Sequence, residues 1–258
     1  MKTAATGEWS FAEVEGESTM KRTVVLGSLA VLTLTIPLTI HAGDKTGNSE
    51  RPWSNSFSPD KADLAAIGKN AYFILLPSYR LFLEHGKDTL MIHVLNETKV
   101  VDGVETRVVE ERETKDGKLV EVSKNYFAIS KTTGDVYYFG EDVDIYKDGK
   151  VTGHEGSWLA GENDAKFGLM MPGRPRVGQK YYHEIAPGVA MDRAEITGRN
   201  ATFKTLMGTY EKCLRTRETS ALNSGSEEKL YGMDTGLIKD GDLVLVNVFC
   251  PPKGTIVP

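Results

Sequence analysis

The stretch "DGKLVEVSKNYFAISKTTGDVYYFGEDVDIYKDGK", Asp116 to Lys150, decides the fold. Two runs rich in Val, Ile, Tyr and Phe are bounded by Asp116-Gly117, Thr133-Gly134 and Asp148-Gly149. Asp-Gly suits a two-residue hairpin, because both central residues of a type I′ turn need positive φ. The spacing therefore predicts antiparallel strands joined by tight turns. Upstream, Asp102-Gly103 separates "TLMIHVLNETKVV" from "VETRVVEERE" in the same way. Downstream the pattern continues through "KVTGHEGSW", "QKYYHEIAP", "VAMDRAEITG", "ATFKTLM", "YEKCLRTRET", "EEKLYGM" and "DLVLVNVF". About eleven short strands at this spacing predict a mainly all-β chain, an antiparallel meander forming a curved sheet or open half-barrel.

Helical spacing occurs once. Ser58 or Asp60 is placed to cap a short helix through Ile67, with Gly68 ending it. Residues 43–60, rich in Ser, Asn, Gly and Pro, read as a flexible leader, and residues 69–258 as a single β-rich domain. Ahead of the leader, Met20 is followed by Lys21-Arg22 and an uncharged apolar run from Val24 to Ile40, broken by Pro37. Ala42 supplies a small residue at the end. That order of basic, apolar and small regions is a secretory signal peptide, with cleavage after Ala42 and a mature start at Gly43. The alternative is an uncleaved membrane anchor. Acidic residues ahead of a signal peptide are out of place, so residues 1–19 read as an over-extended gene start. The expected location is periplasmic or secreted, with no stable membrane anchor after cleavage.

The bulk composition is that of a globular protein: 258 residues, 40% hydrophobic and 26% charged. A net charge of −5 does not favour nucleic acid, which calls for a basic face.

Acids crowd "YYFGEDVDIYKDGKVTGHEGSW". A cation site would draw on Glu141, Asp142 and Asp144. A calcium loop needs oxygen ligands at alternating positions and an early glycine. Here Ile145 and Tyr146 intervene, and Asp148-Gly149 arrives late. The strand reading places Asp142, Asp144 and Tyr146 on one face, with Val143 and Ile145 on the other.

Elsewhere the chemistry is sparse. Cys213 and Cys250 are the only cysteines. In an oxidising compartment they form either one disulfide or two separate thiols, and spacing does not choose between these. Histidines at 41, 85, 93, 154 and 183 form no zinc spacing with cysteine. No G-x-S-x-G, P-loop or Rossmann glycine pattern is present. No nucleophile–base pair shows recognisable spacing, so no catalytic residue and no cofactor are assigned. The sequons at Asn96 and Asn200 read as chance matches.

Two stretches suggest a binding site. In "GLMMPGRP", Gly168 to Pro175, a Gly/Pro-rich loop gathers Met170 and Met171 close to Trp158, Phe167 and Leu169. Such a loop either lines an apolar cavity or plugs the barrel as core. A copper site through Met91, His93, Met170 and Met171 lacks the Met-x-Met clustering it would need. In "VAMDRAEITG", alternation puts Ala190, Asp192, Ala194 and Ile196 on one face, the apolar one. Asp192 would then point inward and need a partner, for which His183, Arg215 and Arg217 are candidates. Tyr181, His183 and Ile185 share a face of the preceding strand. The expected ligand set is Trp158, Met170, Met171, Tyr181, His183 and Asp192, with Asp192 at the polar end.

The residues from Tyr137 to Ile196 carry a resemblance. "YYFGED", "EGSW", Met171-Pro172 and "APG" through Ala194-Glu195 resemble the pattern of a widespread group of exported bacterial proteins of unknown function. "LLPSYRLFLE" is similar to that group's "L-x-PG-x-RW-x-YE", with Ser78 for Gly and Leu81 for Trp. "EEKLYGMDTGLI" resembles its "E-x-x-YYAPGVGL". More loosely the topology resembles lipoprotein-carrier half-barrels, which hold acyl chains. The expected function is an exported, soluble binding protein for a lipid-like or other apolar small molecule. The alternative is a structural or interaction protein with a self-filled barrel. Cation binding and enzymatic activity are weaker readings.

Overall fold

The computed structural model describes residues 51–250. The gene-start segment 1–19, the signal peptide 20–42 and the first part of the leader, 43–50, lie outside the described residues, as does 251–258. The described residues belong to one compact unit.

In chain order the strands are β1 (Leu64–Ala65), β2 (Gly68–Lys69), β3 (Ile74–Leu75), β4 (Arg80–His85), β5 (Asp88–Val101) and β6 (Val104–Lys115). They continue with β7 (Lys118–Ser130), β8 (Val136–Lys147), β9 (Lys150–Gly153), β10 (Trp158–Leu159), β11 (Lys166–Met171) and β12 (Lys180–Tyr182). The last are β13 (Glu184–Ile185), β14 (Asp192–Thr205), β15 (Gly208–Ser220), β16 (Ser226–Gly232), β17 (Gly236–Asp240) and β18 (Leu243–Phe249). The main sheet runs β12-β14-β15-β16-β17-β18-β4-β5-β6-β7-β8-β11-β13. Every pairing between these strands is antiparallel.

The turn chemistry behaves as the sequence predicts. Asp102-Gly103, Asp116-Gly117 and Asp148-Gly149 all have positive φ at both positions, as a type I′ hairpin requires.

The two ends of the sheet nearly meet. Lys180–Tyr182 pairs with β14, and Glu184–Ile185, one residue further on, pairs with β11. The segment switches partners at His183, and so draws the first and last strands into a barrel-like closure. Gly168 makes this possible. A Cβ there would lie 2.3 Å from the His183 carbonyl oxygen, so any side chain would push β11 off the closing segment. "GLMM" is therefore strand and only Pro172–Pro175 is loop, which corrects the loop expected over Gly168–Pro175.

The segment after the leader also differs from expectation. The helix from Asp60 to Ile67 is reduced to one 3₁₀ turn, Lys61–Asp63, capped by Asp60 accepting from Ala62 N–H at 3.0 Å. Leu64 turns extended to pair with Ser130 of β7. Strand pairing outweighs the helical spacing. The described part of the leader is held in place as well: Ser54 N–H donates to Lys180 O and Tyr182 N–H to Ser54 O, each at 3.0 Å.

Residues 68–79 span the barrel interior. Phe73 packs edge-on to Phe127 of β7, with centroids 5.1 Å apart. On the far wall, Tyr79 OH donates to Thr235 O at 2.8 Å and Tyr72 OH to Lys212 O at 3.0 Å. Buried Arg107 anchors the start of this segment by donating from Nε to Ala66 O at 3.0 Å. Leu75, Leu83, Phe139, Met171, Ile196 and Leu214 are fully buried core, each contributing roughly 1.5–3 kcal/mol on burial.

Candidate binding site in the barrel interior

Period-two alternation carries acids inward along with the core. In β6, Val109 and Glu111 both line the interior cavity, and Glu113, exposed further along the strand, stands directly opposite Glu121 of β7. In β15, Leu214, Thr216 and Glu218 share one face, opposite Tyr231, Lys229 and Glu227 of β16. Lys229 is in turn paired in register with Asp240 of β17. Two like-charged pairs, Glu113/Glu121 and Glu218/Glu227, thus face each other across the sheet, an unfavourable arrangement on its own.

Lys229 is the positive centre. Its Nζ lies 3.2 Å from Glu218 Oε2 and 3.4 Å from Asp240 Oδ2. Tyr231 OH donates to Glu218 Oε1 at 3.2 Å, and Thr216 Oγ1 donates to the same oxygen at 3.3 Å. The side chains of Glu218, Lys229 and Asp240 retain 14%, 21% and 15% exposure, deep in the fold yet reached from a cavity. Burial works against the Glu218 carboxylate, but the Lys229 ammonium, His183 and the hydrogen bonds from Lys229 and Tyr231 together outweigh it and hold that carboxyl below its ordinary range. Burial likewise disfavours the Lys229 charge, and Asp240 and Glu218 more than offset it, holding the ammonium well above its usual range.

At the acids that follow, burial prevails. Burial pushes Glu111 up to about 7, against the pull of Lys229. Burial, with the Glu113 charge, brings Glu121 to about 7. Glu227 rises to about 7 through burial and Asp240, and burial takes Glu141 to about 8. Glu184 is held well above the carboxylate range by burial and by Asp192. Burial keeps His183 neutral by lowering its imidazole.

A cavity of about 80 Å³ opens between residues 73–79 and this wall. Ile74, Leu81, Val109, Met170 and Leu237 line its apolar side, and Glu111, Lys229 and Asp240 its polar side. Asp240 Oδ1 is buried there without an N–H or hydroxyl donor. One carboxylate oxygen thus holds Lys229, and the raised Glu227 carboxyl is the neighbour that hydrogen-bonds the same carboxylate.

The residues expected at a site fall in different places. Met170 lines the cavity; Met171, only 1% exposed, is core. Trp158 is core too, edge-on to Tyr138 with centroids 5.3 Å apart, although its Nε1 has no partner. Tyr181 and His183 are buried together, rings 5.7 Å apart, and the Tyr181 hydroxyl is unpartnered. Asp192 shares a face with Ala194 and Ile196 but lies at the start of β14 and is exposed. Its backbone N–H donates to Glu184 Oε1 at 2.5 Å. Arg215 and Arg217 pair instead with Glu228 and Glu195. Asp192 is therefore not an interior anchor, and Asp240 occupies the polar end of the cavity.

The acids of β8 diverge, which removes the cation site drawn from them. Glu141 stands opposite Asn125 on the interior face. Asp142 bonds Lys99 at 3.0 Å and the Tyr126 hydroxyl, and Asp144 lies 2.9 Å from His154 Nδ1. Among the described residues no three His, Cys, Asp or Glu side chains are grouped to hold a metal ion. Ile92 lines the cavity, so alternation turns Met91 and His93 away from Met170 and disperses the copper grouping. Cys213 is buried and Cys250 exposed, both as free thiols, so the disulfide is not formed.

Glu111, Lys229 and Asp240 were not singled out by the sequence. Their signal was the period-two placement of Glu111 behind Val109 and of Lys229 before Tyr231, legible only once the inward face is known. No protein-family model matches the chain, and no curated protein or solved structure matches it.

Proposed function

We infer that the chain is a binding barrel for a small amphiphile with a short apolar body and a cationic, hydrogen-bond-donating end. Asp240 Oδ1, buried without an N–H or hydroxyl donor at the polar end of an otherwise apolar cavity, carries this reading. An ammonium placed there supplies the missing donor and offsets the excess of interior carboxylates over Lys229. An anionic head would meet Glu111 and Asp240, with Lys229 already held by Glu218 and Asp240. The cavity has room for roughly six water-sized groups, which fits a short alkyl chain better than a full acyl chain and narrows the lipid-like ligand suggested by sequence. In the exported setting that Met20–Ala42 suggests, such a barrel would capture its ligand outside the cytoplasm.

The self-filled barrel describes the rest of the interior, where Met171, Tyr181 and Leu214 leave no space. Calorimetric titration with n-butylammonium, butyrate and n-butanol tests the reading. Saturable binding of the amine, weaker binding of the alcohol and none of the carboxylate support it. Asp240→Asn should weaken amine binding at least tenfold, about 1.4 kcal/mol. Equal binding of all three, or of none, contradicts it.

A further inference from the structure

A second concavity lies outside the barrel. Residues 51–54, the turn 132–135 and the loop 172–180 enclose an open cleft of about 740 Å³. Arg51, Arg174, Arg176 and Lys180 line it, against a single acid, Asp135. In a chain of net charge −5, four cations around one cleft are a local reversal of sign.

Among the described residues Asp135 forms no ion pair with Arg51, Arg174 or Arg176. Asp135 Oδ1 accepts from Gly173 N–H and Oδ2 from Thr133 Oγ1, each at 2.8 Å. Arg174 and Arg176 are exposed, and neither guanidinium has a carboxylate partner among the described residues. The surrounding backbone is fixed. A Cβ on Gly173 would lie 2.1 Å from Thr133 O, so loop and turn are in direct backbone contact. Arg176 N–H donates to Gln179 Oε1 at 3.2 Å, and Arg51 Nη1 reaches Val177 O at 3.5 Å.

We propose that this cleft binds the phosphate groups of a ligand carrying two or more of them. Several guanidinium forks converging on a fixed concave surface match the tetrahedral oxygens of phosphate, each fork making paired, charge-assisted hydrogen bonds. The width accepts more than one such group. The phosphates come either from a soluble molecule or from a lipid headgroup, and the site meets the same chemistry in both.

The full chain is titrated with inorganic tripolyphosphate by calorimetry, and with phosphatidylcholine vesicles containing cardiolipin, whose headgroup carries two phosphates, by co-sedimentation. The expected result is saturable binding of at least one probe, weakened tenfold or more in R174A/R176A. R174Q/R176Q, which keeps the side-chain bulk, should behave alike, with melting temperatures unchanged. K115A/K118A, which removes two exposed cations on another hairpin, should bind as the parent does. Tripolyphosphate binding assigns a soluble source; vesicle binding alone, with the same loss in the variants, assigns a headgroup. Binding of neither probe, undiminished binding by both arginine variants, equal loss in K115A/K118A, or equal affinity for citrate would each overturn the proposal.

Discussion

Lys229 stands 3.4 Å from Asp240 Oδ2, while the other oxygen of that carboxylate, Oδ1, is buried without an N–H or hydroxyl donor. The pair is one of two in an interior ion triad completed by Glu218 at 3.2 Å. Two acids on one lysine leave the barrel wall net negative, and the remaining glutamates add to it as the pH rises through 7 to 8.

Removing the lysine exposes what it compensates. Lys229→Met should destabilise the chain by about 3–5 kcal/mol, the usual cost of stranding a buried charge. The triple variant Lys229→Met/Glu218→Gln/Asp240→Asn should recover most of that loss. Urea unfolding of the three proteins checks it; a triple variant no better than the single would mean that packing, not charge, is lost.

Stability should rise as pH falls from 8 to 6.5. Burial raises Glu111 and Glu121 to about 7 and Glu141 to about 8 in the fold, against about 4.3 for glutamate in an unfolded chain. Between those values the folded state binds more protons, so acidification favours it, and the gain is lost as pH rises through 7 to 8. Below about 6.5 His183, buried neutral, acts with the opposite sign, because the unfolded chain takes up the proton first. Thermal melts at pH 8.0, 7.2 and 6.5 read the effect, and Glu111→Gln/Glu121→Gln should flatten it. A melting temperature constant or falling across this window would count against the buried acids.

The two thiols should react differently. Cys250 is exposed and should be alkylated in the native protein, whereas Cys213, buried in β15, should react only on unfolding. Mass spectrometry after brief labelling distinguishes them. Failure of both to label without reductant would indicate a bridge.

The fold was legible because its determinants are local. Aspartate–glycine pairs fix turns, and runs such as Lys118–Ser130 coincide with a whole strand. Closure was not legible, since it depends on Gly168 meeting the backbone of His183 across the sheet ends. Within the site, Met170, Tyr181 and His183 lie in the interior as read, but the polar end was assigned to Asp192 in place of Asp240. Alternation found the correct face of β14. It could not show that Asp192 sits at the exposed rim, because burial along a strand depends on where neighbouring strands end. The tight hairpin at Asp148-Gly149 was legible for the same local reason as the others, and with it the outward face of Asp142 and Asp144.

The cavity reading is tested most directly by NMR of methyl-¹³C-methionine protein titrated with n-butylammonium. Met170 lines the cavity, and its neighbour Met171 is sealed in the core. The Met170 methyl should shift saturably and that of Met171 hardly at all, and the Met170 shift should require at least tenfold more ligand in Asp240→Asn. A Met170 resonance unmoved at saturating amine, or one that moves identically in Asp240→Asn, would contradict binding at Asp240.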